Sequence, residues 1–132
     1  MSRQDFDSSS ILVKDIMTKV IISVNIKTTI FQVAKMMEQG GIGAVLVKKD
    51  DHLSGIVTDR DYATKIVANN LSSDTSVGEI MSSPLITINH DESIYAAAVR
   101  MTTKKIRKLA VTNNGNIIGL ITSTDLVTQL AK

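Results

Sequence analysis

Val13-Lys14-Asp15-Ile16-Met17 and Val77-Gly78-Glu79-Ile80-Met81 are one phrase written twice, 64 positions apart. Counted from its first residue, the match runs without a gap for more than fifty positions. Asn25 falls on Asn89, Ile30 on Ile94, Ala34 on Ala98, Met37 on Met101 and Ile42 on Ile106. Val47 then falls on Val111, Gly55 on Gly119, Thr58 on Thr122, Asp61 on Asp125 and Thr64 on Thr128. Glycine, hydroxyl and carboxylate positions stay in step with the apolar ones, which marks a tandem duplication. The boundaries read as a flexible stretch over 1–10, repeat one over 11–68, a polar linker over 69–76 and repeat two over 77–131.

Each copy carries the same run of elements. A helical turn over 13–17 (77–81) leads to a strand over 20–24 (85–88). A helix follows, with Ile30, Val33, Ala34 and Met37 on one face, and Ile94, Ala97, Ala98 and Met101 on its counterpart. Gly40-Gly41 supplies its stop. Two strands joined by a tight turn come next. In the second copy Asn114-Gly115 asks for a type I′ hairpin, since both central residues need positive φ. A last helix covers 59–68, or 123–131. The fold class is therefore α/β (α+β), two β-α-β-β-α repeats. A unit of about 55 residues is marginal alone, so the two are expected to pack sheet to sheet with pseudo-twofold symmetry.

Composition narrows the chemistry. With no cysteine, a disulfide scaffold, a thiolate metal site and a Cys nucleophile are excluded. Aromatics make up 3% of the chain, too few for a base-stacking nucleic-acid reader. The net charge of +2 is too small to mark a polyanion binder. The N-terminus has no apolar signal core, and the apolar runs are far too short to span a bilayer. A soluble cytoplasmic protein is expected. His52 and His90 have no second ligand at metal spacing, and no nucleophile–base constellation is present. No catalytic and no metal-binding residue is predicted.

Gly-x-x-Thr-x-x-Asp, at Gly55-Ile56-Val57-Thr58-Asp59-Arg60-Asp61 and Gly119-Leu120-Ile121-Thr122-Ser123-Thr124-Asp125, carries the most information. Thr followed three residues later by an acid is the spacing of a helix-capping box. The same strand-to-helix turn also presents free N–H groups and a positive dipole end to an anion, and a carboxylate to paired hydroxyls. Spacing alone leaves both readings open.

With Ile16-Met17-Thr18 and Pro84 added, these segments make the chain resemble a tandem pair of CBS domains, the cystathionine-β-synthase type of regulatory module. The resemblance covers about residues 11–131, so a stand-alone pair is expected. It implies a non-enzymatic sensor of adenosine nucleotides (AMP, ADP or ATP), with the nucleotide as regulatory ligand and not as catalytic cofactor. One cleft implied by position joins Thr18, Ile22, Ile42, Gly43 and Ala44 with Arg107, Lys108, Thr122, Thr124 and Asp125. Its counterpart joins Ser82, Ile86 and Ile106 with Thr58, Arg60 and Asp61. In the family Asp meets the ribose and Ser or Thr the phosphate, and Ile22 and Ile86 would pack on the adenine. Arg107 and Lys108 face uncharged counterparts, Gly43 and Ala44, so the two clefts are unequal and Asp125 is expected to matter more. A homodimer through the helices and an unknown regulated partner complete the expectation. The alternatives are a dimerisation scaffold whose clefts bind nothing, and nucleic-acid binding around Arg107.

Overall fold

The computed structural model describes residues 10–132. The expectation of a flexible 1–10 therefore lies, Ser10 apart, outside the described residues. The elements run α1 (Val13–Ile16), β1 (Ser23–Asn25), α2 (Ile30–Gly40), β2 (Ala44–Lys49) and β3 (His52–Thr58). Then come α3 (Asp59–Asp61, continuing as a π-helix over Tyr62–Val67) and a 3-10 turn at Val77–Glu79. The second set is β4 (Thr87–Asn89), α4 (Ile94–Lys104), β5 (Lys108–Asn113), β6 (Asn116–Thr122) and α5 (Ser123–Leu130).

There are two three-stranded sheets, ordered β1-β2-β3 and β4-β5-β6. In each, the first pair is parallel and the second antiparallel, with Val24 opposite Val47 and Ile88 opposite Val111. The β-α-β-β-α order read from the sequence is thus the observed one. The first strands are shorter and later than the apolar run suggested. The Ile22 carbonyl still accepts from Leu46 N, and the Ile86 carbonyl from Ala110 N. Val20, two residues earlier, is 75% exposed. It falls beyond the ladder, so its β-branched side chain alone could not extend the strand.

Local signals explain the helices and turns. Thr29 and Gln32 form a reciprocal capping box at the start of α2, each backbone N–H donating to the other's side chain. Gly41 ends that helix at φ 63°, and Lys105 takes the same left-handed conformation at the end of α4, at φ 57°. The hairpin at Asn114-Gly115 has φ 53° and 81°, as its sequence required. Asp50-Asp51 adopts the same turn at 50° and 64° without a glycine. Asp is one of the few residues that tolerate this region. Beside α4, Arg100 grips Glu92 through both guanidinium arms at 2.9 and 3.1 Å. These bonds hold the Glu92 carboxyl below the ordinary carboxylate range.

The compact units do not follow the sequence repeats. One unit is 22–85; the other joins 10–21 to 86–132. In the contiguous unit, Val77 and Ile80 pack with Val24, Ile30, Val33, Val45, Val47 and Val57. In the other, Val13, from the start of repeat one, packs with Ile88, Ile94, Ala97, Leu109, Val111 and Ile121 of repeat two. Main-chain bonds repeat the exchange. Thr18 and Leu120 trade N–H···O bonds at 2.8 and 2.9 Å, and Ser82 and Ile56 do so at 2.9 and 3.0 Å. Each lead segment thereby covers the open edge of a sheet, β6 in one unit and β3 in the other. The polar stretch expected as linker also has structural work: the carbonyls of Ser73 and Thr75 accept from Phe31 N and Ile30 N at the start of α2.

Candidate functional site

The two Thr-x-x-Asp turns sit where an antiparallel strand runs into a helix. In the unit formed by 10–21 and 86–132, Thr122 ends β6 in extended geometry (φ −122°, ψ 163°) and caps α5. Its N–H donates to Asp125 Oδ2 at 2.8 Å, and Asp125 N donates back to Thr122 Oγ1 at 3.2 Å. The capping half of the sequence argument therefore holds. Lys108 lies directly across the ladder from Thr122, and the Arg107 carbonyl accepts from Ser123 N at 2.8 Å. Arg107 and Thr124 are exposed, while Lys108, Asp125, Ile86 and Ile106 are half-buried. Thr18, bridged to Leu120, comes to the same sheet edge. This unit gathers hydroxyls, a carboxylate and two cationic residues around one turn. An open cavity beside it is lined by Asp15, Met17, Asp125, Thr128, Gln129 and Lys132.

The contiguous unit holds Ile22, Ile42, Gly43, Ala44, Thr58, Arg60, Asp61 and Ser82. Thr58 N donates to Asp61 Oδ2 at 2.8 Å, and Asp59 N to the Gly43 carbonyl at 3.0 Å. Ala44 occupies the rung that Lys108 holds opposite, so no cation stands across from Thr58. Gly43 is tight: a Cβ there would meet Asp59 Oδ2 at 3.2 Å. Asp61 is buried, and Arg60 is exposed. Ser82 lies beside the turn through its bridge to Ile56.

Two features here were not foreseen. The closing helix, expected as one α-helix over 59–68, widens to a π-helix over Tyr62–Val67. The widened turn carries two tethers. Tyr62 donates its hydroxyl to the Ile30 carbonyl, and Lys65 Nζ donates to the Ile80 carbonyl at 2.8 Å. Lys65 Nζ also stands 3.1 Å from Asp61 Oδ1. The Asp61–Lys65 spacing of four residues was the available signal.

Burial and the neighbouring Asp61 push the Tyr62 phenol up to about 12 from 10.0. Between those values the unfolded chain has released the proton and the folded chain has not, so stability falls as pH rises through that window. At neutral pH, Tyr62→Phe is expected to cost about 1 kcal/mol through the lost hydrogen bond. That advantage of the natural protein should shrink between pH 10 and 12. Melting curves of both proteins across the range check this, and a gap unchanged by pH would refute it.

Among the described residues no group of His, Asp or Glu is arranged to hold a metal ion. No helix among them is long and apolar enough to cross a membrane.

Two duplicated α/β units, each closing on a Thr-x-x-Asp turn at a sheet edge, define the class, and the comparisons define the family. The CBS domain model matches residues 13–68 and 77–132, so the chain belongs to the CBS-domain family and is a CBS pair. It is 34% identical over 114 residues to the CBS domain-containing protein YhcV of Bacillus subtilis, covering 86% of this chain and 81% of that one. Of two further relatives it spans 62% and 51%. A solved CBS-domain protein from Burkholderia ambifaria superposes with a TM-score of 0.85 at 35% identity, covering 90% of this chain and 93% of that one. The CBS domain pair of MJ0100, solved in complex with 5′-methylthioadenosine and S-adenosyl-L-methionine, gives 0.81 at 29% identity, covering 91% and 95%.

Proposed function

We propose that this CBS pair is a non-enzymatic sensor that binds an adenosine-containing small molecule at one or both of its Thr-x-x-Asp turns and passes the change to a protein partner. The observation that carries this reading is the turn at 122–125. A hydroxyl suited to phosphate and a carboxylate suited to ribose hydroxyls meet at one helix start, and Lys108 shares the rung of Thr122. The adenosyl ligands of the MJ0100 pair support the ligand class. Such a ligand moves a partner-reading equilibrium only by its differential affinity for the two states.

The reading includes a homodimer. Tyr95 and Val99 on α4, and Val127 and Leu130 on α5, are 46–63% exposed, and Phe31 on α2 is 58% exposed. Apolar helix surface of this extent is the kind that partners cover. The test is a thermal-shift panel of AMP, ADP, ATP, S-adenosylmethionine and a short RNA, run at a concentration where light scattering reports about twice the 14.3 kDa chain mass. A ligand at about 100 times Kd should add about 2.7 kcal/mol, on the order of 10 °C. No shift with any adenosyl compound would leave the scaffold reading in its place. A shift with RNA alone would favour the nucleic-acid reading.

A further inference from the structure

The two turns share a motif, but only one of them is already occupied by its own chain. Asp61 has both carboxylate oxygens engaged: Oδ2 by Thr58 N at 2.8 Å and Oδ1 by Lys65 Nζ at 3.1 Å. Its side chain is only 10% exposed. The same ammonium donates to the Ile80 carbonyl at 2.8 Å and reaches Ser82 Oγ at 3.4 Å. Three oxygens from three parts of the unit thus converge on one cation. A carboxylate this far from water needs such a partner.

Position 129 holds Gln where position 65 holds Lys. Asp125 Oδ2 accepts from Thr122 N, and among the described residues no lysine or arginine forms an ion pair with Asp125. Open space lies beside it.

We propose that Lys65 is a built-in occupant of the 58–61 turn. It gives Asp61 the donors that the paired hydroxyls of a ligand would otherwise give. A neutral hydroxyl cannot match a charge-assisted bond from an ammonium, so this turn is closed to ligand and the 122–125 turn binds. The residue pair 65/129 then decides which turn is open. The proposal rests on the adenosyl-sensing reading above and assigns to Lys65 a role that no motif carries.

The experiment has two arms. In the first, the full chain is treated with an amine-acetylating reagent, and lysine modification is followed by peptide mass spectrometry. Lys65 should react about tenfold more slowly than Lys104, whose amine has no such cage, and the difference should vanish in Asp61→Ala. Equal rates in the natural protein would overturn the proposal whatever the ligand.

In the second arm, AMP and S-adenosylmethionine are titrated calorimetrically. The natural protein should bind about one ligand per chain, Lys65→Gln about two. Gln129→Lys, which rebuilds the cage beside Asp125, should weaken binding about tenfold to hundredfold, as should Asp125→Ala; Asp61→Ala should leave affinity within about threefold. Two ligands per chain in the natural protein, or loss of binding in Asp61→Ala, would overturn the proposal while leaving the adenosyl reading intact. No binding by any variant would overturn both.

Discussion

Replacing Gly119 by alanine should destabilise the protein by about 2–4 kcal/mol, on the order of 10 °C in melting temperature. A Cβ at Gly119 would lie 2.5 Å from the Thr18 carbonyl oxygen and 3.1 Å from Met17 Sδ. The sulfur sits on a flexible side chain and can move. The carbonyl cannot, because Thr18 is held to Leu120 by a reciprocal pair of main-chain bonds. Relief therefore means separating the lead segment from β6 and losing those bonds, each worth about 1 kcal/mol. Gly55 repeats the arrangement, with the Ser82 carbonyl at 2.9 Å and Met81 Sδ at 2.6 Å from the added carbon. Gly115→Ala is the control. Nothing lies within 4 Å of its added Cβ, and only the strain of φ 81° remains, about 1 kcal/mol. Equal losses at 115 and 119 would show that the close approach does not matter.

Val13→Asp should cost at least about 3 kcal/mol, by placing an unpaired carboxylate in a dry core. Val13 is fully buried, and its neighbours include Ile88, Leu109 and Ile121. The damage should therefore appear first in repeat two. Amide exchange should accelerate at Leu109, Ala110 and Val111 at least as strongly as at Val45, Leu46 and Val47. Val20→Asp, at a position 75% exposed, should change stability by less than about 0.5 kcal/mol. Faster exchange confined to β1–β3 would contradict the packing of residues 10–21 with 86–132.

The sequence revealed the elements more fully than their partners. Internal periodicity located both copies, and the Thr122–Asp125 spacing marked a helix start that the hydrogen bonds reproduce. Asn114-Gly115 named its own turn type. Exchange of the lead segments was invisible, because a repeat pattern is the same whichever copy the segment packs against. Val13 and Val77 are both fully buried, and no property of either says in which unit. The π-helix was equally hidden, since Tyr62–Val67 has the composition of an ordinary amphipathic turn; its two tethers end on carbonyls that belong to other elements. Both Thr-x-x-Asp turns were legible as strand-to-helix junctions, and the structure places each at the end of an antiparallel strand. The charge difference between Lys108 and Ala44 on equivalent rungs was legible in the sequence, whereas the reach of Lys65 to the Ile80 carbonyl required coordinates.

The exchanged lead segment also sets an order of events during synthesis. Residues 22–85 form a contiguous unit, and its Ile56–Ser82 bridge closes a loop of about 25 residues. It can assemble while the second half of the chain is still being made. Thr18 must wait for Leu120, closing a loop of about a hundred residues at an entropic cost about 1.2 kcal/mol greater. Until then Val13 has no core to enter, and a ribosome that stalls or terminates after repeat one releases a chain whose first apolar segment is still searching for a partner.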